Sequence, residues 1–437
     1  MAELAPLTDI PSAPVPAGGE AEWFRGAGGA KLRAALFTPP GKARGSIVVS
    51  GGRTEPIEKY FEFIGDCLEQ GFVVLAHDWR GQGLSARDLP DRLKGHARGH
   101  QAFLEDFRCL LSAYQARLPK PWVAVGHSMG GCLTLLALAH GESRFAGAIL
   151  SAPMLGVRTG KVARPVASTL AGLNVITGRG GRYTLGQAGK PFDDTFDGNV
   201  LTHDAVRFAR HRAQIAANPE LALGNPTWGW LDFALRATAF LAKPERLRGV
   251  TIPVVIVSAE QDKLVDNAAQ QAATRNLPQG RFISVPGAYH EILMETDHMR
   301  NIFMRALDAL TGKIAPKPSP APKPLAPTPA AAPMAAAPKP KPAAARKPVA
   351  RKPAKAQAKK PAAVKKPAAK APKVAKAAAA KSAKVKKPAP AKKPAARKAP
   401  AAKPAAIKAP TAAKKAPAKK APAKKVAAKK PAVKKPA

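Results

Sequence analysis

The strongest constraint on the fold comes from the ten residues Trp122–Gly131, where a short apolar run ends in Gly-His-Ser-Met-Gly. A helical pattern, Cys132–His140, follows at once, so the stretch predicts a strand, a sharp turn and a helix. Glycine at Gly126 and Gly130 lets the strand and the helix pass close together, because a Cβ there would clash. The pattern therefore predicts that Ser128 lies at the tip of a strained, exposed turn and acts as a nucleophile.

A serine hydroxyl is a weak nucleophile at neutral pH and needs a base that is itself oriented by an acid. In enzymes built around such a turn, the acid and then the base follow the serine along the chain. We expect the acid to be Asp262, just past the end of a predicted buried parallel strand, Ile252–Ser258. Asp266 is the alternative acid, although it also suits the N-cap of a helix that starts near Asn267.

The base that this order predicts is His290, in the loop that follows the predicted last strand, Arg281–Val285. His127 is a weaker candidate, because a residue next to Ser128 cannot easily curl back to the serine hydroxyl. No such positional argument supports His77, His96, His100, His203 or His298.

Two backbone N–H groups are expected to stabilise the oxyanion that forms during acyl transfer. One belongs to Met129, at the N-terminus of the predicted helix, whose dipole also favours negative charge. The other is expected in the loop Gly51–Glu55, after the predicted strand Gly45–Ser50, with Arg53 as the preferred donor and Gly52 as the alternative. A plain glycine turn is the competing interpretation of this loop.

The periodicity of the first 314 residues predicts an α/β fold, with a mostly parallel sheet and helices on both faces. Between about residues 152 and 243 the alternation stops, and we interpret this part as an inserted lid with helices at Leu201–Ala217 and Thr227–Leu241. The predicted strands are Lys31–Phe37, Gly45–Ser50, Phe72–His77, Trp122–Gly126, Phe145–Ser151, Ile252–Ser258 and Arg281–Val285.

Apolar side chains of the predicted lid either line a channel for an acyl chain or pack the lid onto the core, and periodicity does not separate the two. Among them, Trp228 and Trp230 are our candidates for contact with substrate, together with Arg53. The others are Leu155, Val157, Leu170, Leu173, Phe192 and Phe233.

Four stretches of the chain resemble the monoglyceride lipase and bacterial lysophospholipase branch of the α/β-hydrolases. They are Val48–Glu55, Asp78–Ser85, Gly126–Gly131 and Gly287–Glu291, and the resemblance extends over roughly residues 23–311. It implies that Ser128, Asp262 and His290 form the catalytic triad, and that the substrate is an ester of a single-chain lipid.

Two further segments, Leu201–Trp230 and Ser258–Asn267, look more like the lysophospholipases. The oxyanion loop also departs from the monoglyceride lipases, which usually carry His-Gly, because its first position is Gly51 and Arg53 follows. We therefore expect a lysophospholipase, with a monoacylglycerol lipase or another carboxylesterase as the alternative. The Arg53 side chain is the candidate partner for a lysophospholipid phosphate.

Residues 315–437 contain 36 Lys or Arg residues, 26 Pro residues and no Asp or Glu, so they carry +36 of the net charge of +42. Without aromatic residues or glycine, such a segment cannot bury enough apolar surface to fold, and we expect it to be disordered. Its Lys/Ala/Pro composition resembles the C-terminal tails of linker histones. The expected partner is a polyanion, either an anionic membrane surface or nucleic acid, unless the tail only increases solubility.

We expect a disordered N-terminal extension, residues 1–22, a hydrolase domain, residues 23–314, and the tail. The extension lacks the basic start and apolar core of a secretory signal, and no stretch suggests a membrane span. Together with three cysteines at unpaired spacings, this predicts a cytoplasmic protein, with peripheral contact at the inner face of the membrane as a further option. No ligand cluster or phosphate-binding loop stands out, so we expect no cofactor and no metal.

Two other interpretations stay open. A polyanion-binding protein would use the hydrolase body as a scaffold, although a scaffold has no need of Ser128, Asp262 and His290 together. A proline iminopeptidase-like enzyme needs lid carboxylates to hold a substrate amine, and the predicted lid contains Asp193, Asp194, Asp197, Asp204, Glu220 and Asp232.

Overall fold

The computed structural model describes residues 3–184, 189 and 195–316 of the chain. The predicted polycationic tail lies outside the described residues, apart from its first two positions. Phe192, Asp193 and Asp194 of the predicted lid lie outside them as well. Within the described residues, no helix is long and apolar enough to cross a membrane.

The described residues form one sheet with nine strands: β1 (Glu3–Leu4), β2 (Gly19–Arg25), β3 (Lys31–Phe37), β4 (Gly45–Ser50), β5 (Phe72–His77), β6 (Trp122–His127), β7 (Phe145–Ser151), β8 (Val254–Ala259) and β9 (Gly280–Val285). Their order is β1-β2-β3-β5-β4-β6-β7-β8-β9. Strands β4 to β9 pair in parallel, and β1 to β3 form an antiparallel edge. This confirms the predicted, mostly parallel sheet.

Helices cover both faces of the sheet, as predicted. On one face, Phe63 and Phe303 belong to one buried cluster, and their rings meet edge to face 6.1 Å apart. On the other face, Phe107 and Leu136 belong to a second cluster. The described helices are α1 (Phe61–Glu69), α2 (Gln101–Tyr114), α3 (Ser128–Ala139), α4 (Arg164–Ile176), α5 (Ala205–Ala217), α6 (Trp228–Leu241), α7 (Pro244–Leu247), α8 (Asn267–Asn276) and α9 (Asp297–Ile314).

The N-terminal segment differs from the predicted disordered extension, because it is built into the edge of the sheet. Strand β1 pairs with β2, and β2 pairs along its whole length with β3. The Pro6 carbonyl accepts a hydrogen bond of 2.9 Å from the buried guanidinium of Arg33, and Ala21 packs into the core. The Pro/Ala-rich composition conceals these contacts, since their partners lie far away in the sequence.

The lid is an insertion between β7 and β8, which are neighbours in the sheet and pair in parallel. Helices α5 and α6 match the predicted ones, although α5 begins at Ala205, because the Asp204 carboxylate accepts two backbone N–H groups there and caps the helix. Helix α4 is an addition to the prediction. It buries only two small residues, Ala167 and Ala171, and so lacks a strong apolar stripe.

Candidate active site

The turn between β6 and α3 holds Ser128 at a φ of +49°, a strained value for a residue with a side chain. The neighbouring glycines make the turn possible. A Cβ on Gly126 would lie 2.7 Å from the Cα of Gly131, and a Cβ on Gly130 would lie 2.1 Å from the carbonyl oxygen of Ser50. The lid covers this turn, so Ser128 is only 8 % exposed and faces a cavity instead of open solvent.

Ser128, His290 and Asp262 form one hydrogen-bonded chain at the carboxyl edge of the parallel sheet. His290 Nε2 lies 2.8 Å from Ser128 Oγ, and His290 Nδ1 lies 2.6 Å from Asp262 Oδ2. All three side chains are buried. Because the Asp262 carboxylate accepts the Nδ1 proton, the Nε2 lone pair faces the serine hydroxyl, which is the tautomer that a general base requires.

The structure brings Asp262, and not Asp266, to the imidazole. Asp262 Oδ1 accepts the N–H groups of Leu264 at 2.8 Å and Val265 at 3.0 Å, which leaves Oδ2 for the histidine. Asp266 accepts the N–H of Ala268 at 2.9 Å and caps α8. The alternative acid therefore has the structural role that its position before a helix indicates.

Burial and charge act in opposite directions on the two ionisable groups of this chain. Burial by itself lowers the pKa of His290, but the hydrogen bond and the charge of Asp262 outweigh it and raise the pKa above the ordinary value of histidine. Burial by itself raises the pKa of Asp262, but His290 and two backbone N–H groups hold this pKa below its ordinary value. The pair is therefore poised to stabilise an imidazolium when His290 takes a proton.

His127 lies next to Ser128, but its ring faces other partners. Its Nδ1 lies 3.1 Å from the Ser151 carbonyl oxygen, and its Nε2 lies 3.7 Å from Glu55 Oε1. Burial lowers the pKa of His127 to about 4, so the ring is neutral near pH 7. It packs 4.9 Å from the His290 ring and supports that ring from the side.

The backbone N–H of Gly52, the alternative donor in the oxyanion loop after β4, already has a partner. The Gly52 N–H donates to the Glu55 carboxylate, so it is directed away from a reacting ester. The loop lies close to the nucleophile, since a Cβ on Gly52 would come within 3.1 Å of Ser128 Cβ. Met129 lies in the first turn of α3, where N–H groups lack a partner within the helix. Met129 and Arg53 therefore stay the candidate donors.

A buried group of charges behind the oxyanion loop is absent from the sequence predictions. Lys59 Nζ lies 2.9 Å from Glu55 Oε1 and 2.5 Å from Glu291 Oε1, and the three side chains are 3 %, 2 % and 7 % exposed, in that order. The Tyr60 hydroxyl donates to Glu55 at 2.5 Å. This network ties the oxyanion loop to the residue that follows His290. The i,i+4 spacing of Glu55 and Lys59 is only a weak sequence signal for an ion pair. Nothing in the sequence indicates the pairing of Lys59 with Glu291.

Ser128 and His290 open into a cavity of about 360 Å³. Of the predicted substrate-binding residues, Arg53 and Trp230 line this cavity, and the Arg53 guanidinium lies 5.3 Å from the centre of the Trp230 ring. Trp228 lies outside the cavity, because it packs in a small cluster between α4 and α6. Its position corresponds to the packing interpretation of the lid residues.

The remaining apolar residues of the predicted lid divide between lining and packing, which explains why periodicity could not assign them as a group. Val157 lines the cavity. Leu155 and Phe233 lie in the core, and Leu170 and Leu173 are exposed on α4.

Comparison with known proteins agrees with this architecture. The Hydrolase_4 family model, described as "Serine aminopeptidase, S33", matches residues 41–297, more than half of the chain. The chain belongs to this family. Lysophospholipase L2 of Escherichia coli strain K12 is 31 % identical to this Hydrolase_4 protein over 275 residues, which cover 60 % of the chain and 78 % of the relative. The monoacylglycerol lipase of Mycolicibacterium smegmatis is 26 % identical over 279 residues, which cover 63 % of the chain and 91 % of the relative.

A solved structure supports the fold. A highly thermostable carboxyl esterase from Bacillus coagulans matches this Hydrolase_4 protein with a TM-score of 0.57 and 21 % identity, over 68 % of this chain and 98 % of the esterase. The family match and these likenesses confirm the α/β-hydrolase fold and the predicted branch.

Proposed function

We propose that this Hydrolase_4 protein is a serine hydrolase of single-chain lipid esters, and that its preferred substrates are lysophospholipids. The observation that carries the proposal is the hydrogen-bonded chain of Ser128, His290 and Asp262 beside a cavity beneath the lid. A nucleophile, a base and an orienting acid in this geometry support acyl transfer. Apolar side chains in the cavity wall suit an acyl chain, among them Met154, Val157, Trp230 and Leu264.

The chain's own residues account for each step of ester hydrolysis. His290 takes the proton of Ser128 as Oγ attacks the ester carbonyl, and Asp262 stabilises the imidazolium. The backbone N–H groups of Met129 and Arg53 stabilise the oxyanion. His290 then protonates the departing alcohol, and later activates a water molecule that releases the fatty acid from Ser128.

The choice of lysophospholipid rests on the relatives and on charge. The more similar of the two relatives is named lysophospholipase L2, and the less similar one is named monoacylglycerol lipase, so monoacylglycerol is the alternative substrate. Two arginines, Arg53 and Arg158, line the cavity. Guanidinium groups favour a head group that carries a phosphate over a neutral glycerol.

An aminopeptidase, the activity in the family description, needs a carboxylate that can hold a substrate ammonium group. Among the described residues that line the cavity, the carboxylates belong to Glu55 and Glu291, and both are paired with Lys59. None of the described lid carboxylates lines this cavity; they are Asp197, Asp204, Glu220 and Asp232. Charge therefore favours ester hydrolysis over amine recognition.

The first test is hydrolysis of lysophosphatidylethanolamine and monoacylglycerol by the wild type and by Ser128→Ala. Fatty acid release that depends on the serine supports the mechanism, and a higher rate on the phospholipid supports the preferred substrate. If the wild type releases fatty acid from neither lipid but still reacts with a fluorophosphonate, the lipid assignment is wrong and the nucleophile stands. If the wild type also fails to react with the fluorophosphonate, the result favours the alternative of a polyanion-binding protein on a hydrolase scaffold.

We also propose that the protein acts at the surface of an anionic membrane, from the cytoplasmic side. Of the eight large apolar side chains exposed in the described part of the chain, six lie within residues 162–176, on or next to α4. The described residues from 152 to 184 contain no Asp or Glu, and they include Arg158, Lys161, Arg164, Arg179 and Arg182. An apolar face with basic flanks is typical of helices that lie at anionic lipid surfaces.

Binding to phosphatidylglycerol vesicles tests this surface with a matched pair of variants. Leu173→Asp is expected to weaken binding, whereas Val206→Asp, at a still more exposed apolar position on α5 (77 % against 53 % for Leu173), is expected to leave it unchanged. If the two variants bind equally well, α4 is not part of the interface.

Deletion of residues 315–437 tests the tail. It should reduce activity on the same vesicles without affecting hydrolysis of a short soluble ester. Unchanged vesicle activity would make nucleic acid the better partner of the tail.

A further inference from the structure

One arginine lies where the active-site cavity meets the surface. Arg158 lines the cavity that contains Ser128, and it also lines a neighbouring open groove of about 250 Å³. The wall of this groove is largely apolar, with Val162, Leu170, Trp228 and Leu231. Arg158, which is exposed, therefore lies where the cavity that contains Ser128 meets the surface.

The backbone of Arg158 and one side of its guanidinium are fixed to the loop that carries Asp262. Arg158 N donates to the Leu264 carbonyl at 3.1 Å, and its Nε donates to the Val265 carbonyl at 3.0 Å. The N–H groups of the same two residues hold the Asp262 carboxylate. The guanidinium is thus held on its Nε side, while its Nη1 and Nη2 atoms form no ion pair with a residue that the structure describes.

The cavity offers Arg158 little competition from negative charge. The carboxylates of Glu55 and Glu291 are both paired with Lys59. The segment around Arg158 contributes no acidic side chain of its own across the described residues 152–184. A phosphate entering the mouth of the cavity therefore meets a cation that no described carboxylate neutralises.

The other arginine of the cavity, Arg53, has a structural task that the sequence did not reveal. Its guanidinium donates to the Gly224 carbonyl and lies against the Trp230 ring, and so joins the oxyanion loop to the lid. A phosphate would have to compete with these contacts. The sequence alone favours Arg53 as the phosphate partner, whereas the contacts favour Arg158.

We infer that Arg158 binds the head-group phosphate of a lysophospholipid whose acyl ester lies at Ser128; the inference rests on the proposed function. The glycerol backbone separates phosphate and ester in such a lipid, which fits a cation at the mouth of the cavity better than one beside the nucleophile. The two Nη groups of a guanidinium can bind two phosphate oxygens at once. A monoacylglycerol carries a hydroxyl at this end and gains little from the same contact.

The test compares Arg158→Gln with Lys243→Gln, an exposed cation of the lid that neither lines the cavity nor belongs to the basic segment 152–184. In Arg158→Gln, kcat/KM for lysophosphatidylethanolamine should fall about 10-fold, because a charged hydrogen bond is lost. Hydrolysis of monoacylglycerol with the same acyl chain, and of a short p-nitrophenyl ester, should stay close to wild type. Lys243→Gln should change none of these rates, and Arg158→Lys should lie between the wild type and Arg158→Gln.

A second measurement needs no lipid hydrolysis. Glycerophosphoethanolamine, the deacylated head group, should inhibit hydrolysis of the p-nitrophenyl ester by the wild type, and about 10-fold more weakly in Arg158→Gln. Inorganic phosphate is the comparison probe. Equal inhibition by inorganic phosphate and by the head group would overturn the head-group assignment in favour of a general anion site.

Equal losses on the phospholipid and on monoacylglycerol in Arg158→Gln would overturn the inference while leaving the proposed function intact. If the wild type cleaves neither lipid, the proposed function fails, and the inhibition by glycerophosphoethanolamine still decides whether Arg158 binds a phosphate ester.

Discussion

Replacing Lys59 with methionine removes the cation between two buried carboxylates and tests how strongly this network supports the fold. Lys59 Nζ lies 2.9 Å from Glu55 and 2.5 Å from Glu291, and all three side chains are almost fully buried. Methionine has a similar volume, so the main loss is the charge. Breaking a buried ion pair by removal of one partner costs about 3–5 kcal/mol in the free energy of unfolding. For a domain of this size we expect the Tm to fall by roughly 5–8 °C.

The loss of stability in Lys59→Met should also depend on pH, in a direction that follows from the pKa values of the two carboxyl groups. Burial by itself raises the pKa of Glu55, and the charge of Lys59, followed by that of His127, brings it well below its ordinary value. Burial already raises the pKa of Glu291, even beside Lys59. Without Lys59, burial dominates at Glu55 as well, so we expect the pKa of Glu55 in the folded state to rise above its unfolded value and that of Glu291 to rise further. Groups with a raised pKa stabilise the fold while they are protonated, and this stabilisation is lost as the pH rises. The difference in stability between the variant and the wild type should therefore be larger at about pH 8 than at about pH 5.5.

Urea titration of the wild type and Lys59→Met at both pH values, followed by circular dichroism, measures these differences. Lys59→Arg, which keeps the charge, should lose less stability. Lys31→Met is the matched control, since Lys31 pairs with Glu3 at the surface, with side chains 41 % and 58 % exposed, and should shift the midpoint little. A loss below about 1 kcal/mol in Lys59→Met, or a loss that grows at acid pH, would refute the reasoning.

Two further predictions concern the catalytic chain and the turn. His290 must be neutral to act as a base and its pKa is raised, so activity on a soluble ester should rise with pH through a midpoint above about 6.5. Asp262→Asn should lower kcat roughly 10³- to 10⁴-fold and move this midpoint to lower pH, because burial lowers the pKa of His290 and the charge of Asp262 no longer opposes it. If the pH–rate profile of Asp262→Asn has the same midpoint as that of the wild type, Asp262 does not raise the pKa of His290. Gly130→Ala should abolish activity and lower the Tm, since its Cβ would lie 2.1 Å from a backbone oxygen, whereas Gly65→Ala, which meets nothing within 4 Å in helix α1, should leave both the rate and the Tm at least at the wild-type level. A Gly130→Ala protein with normal esterase activity would show that the turn can relax.

The order of the proposed catalytic residues was predictable because a parallel sheet brings the carboxyl ends of its strands to one edge. Asp262 follows β8 and His290 follows β9, so strand positions read from apolar runs were sufficient to place both next to Ser128. The structural interpretation of Asp266 was equally accessible, since a helix N-cap is a local feature. Local patterns and strand order therefore account for the part of the site that the sequence predicts.

The features that escaped prediction depend on partners distant in the sequence. Lys59 meets Glu291 across 232 positions, and Arg53 reaches Gly224 across 171. The N-terminal segment is ordered by pairing with a strand and by a bond to Arg33, neither of which its Pro/Ala-rich composition reveals. Periodicity indicates which face of a helix or strand is buried, but it does not indicate which residues cover that face.

These long-range contacts also explain how two carboxylates can lie beside a site that must stabilise negative charge. An unpaired Glu55 or Glu291 would oppose both the developing oxyanion and a phosphate at the mouth of the cavity. Lys59, which the two carboxyl groups share, offsets part of this charge, and burial raises the pKa of Glu291. At the same time the Glu55 carboxylate, which accepts the Gly52 N–H, helps to fix the shape of the oxyanion loop. The cations that line the cavity itself are Arg53 and Arg158. The same arrangement that stabilises the loop therefore favours an anionic substrate over a cationic one.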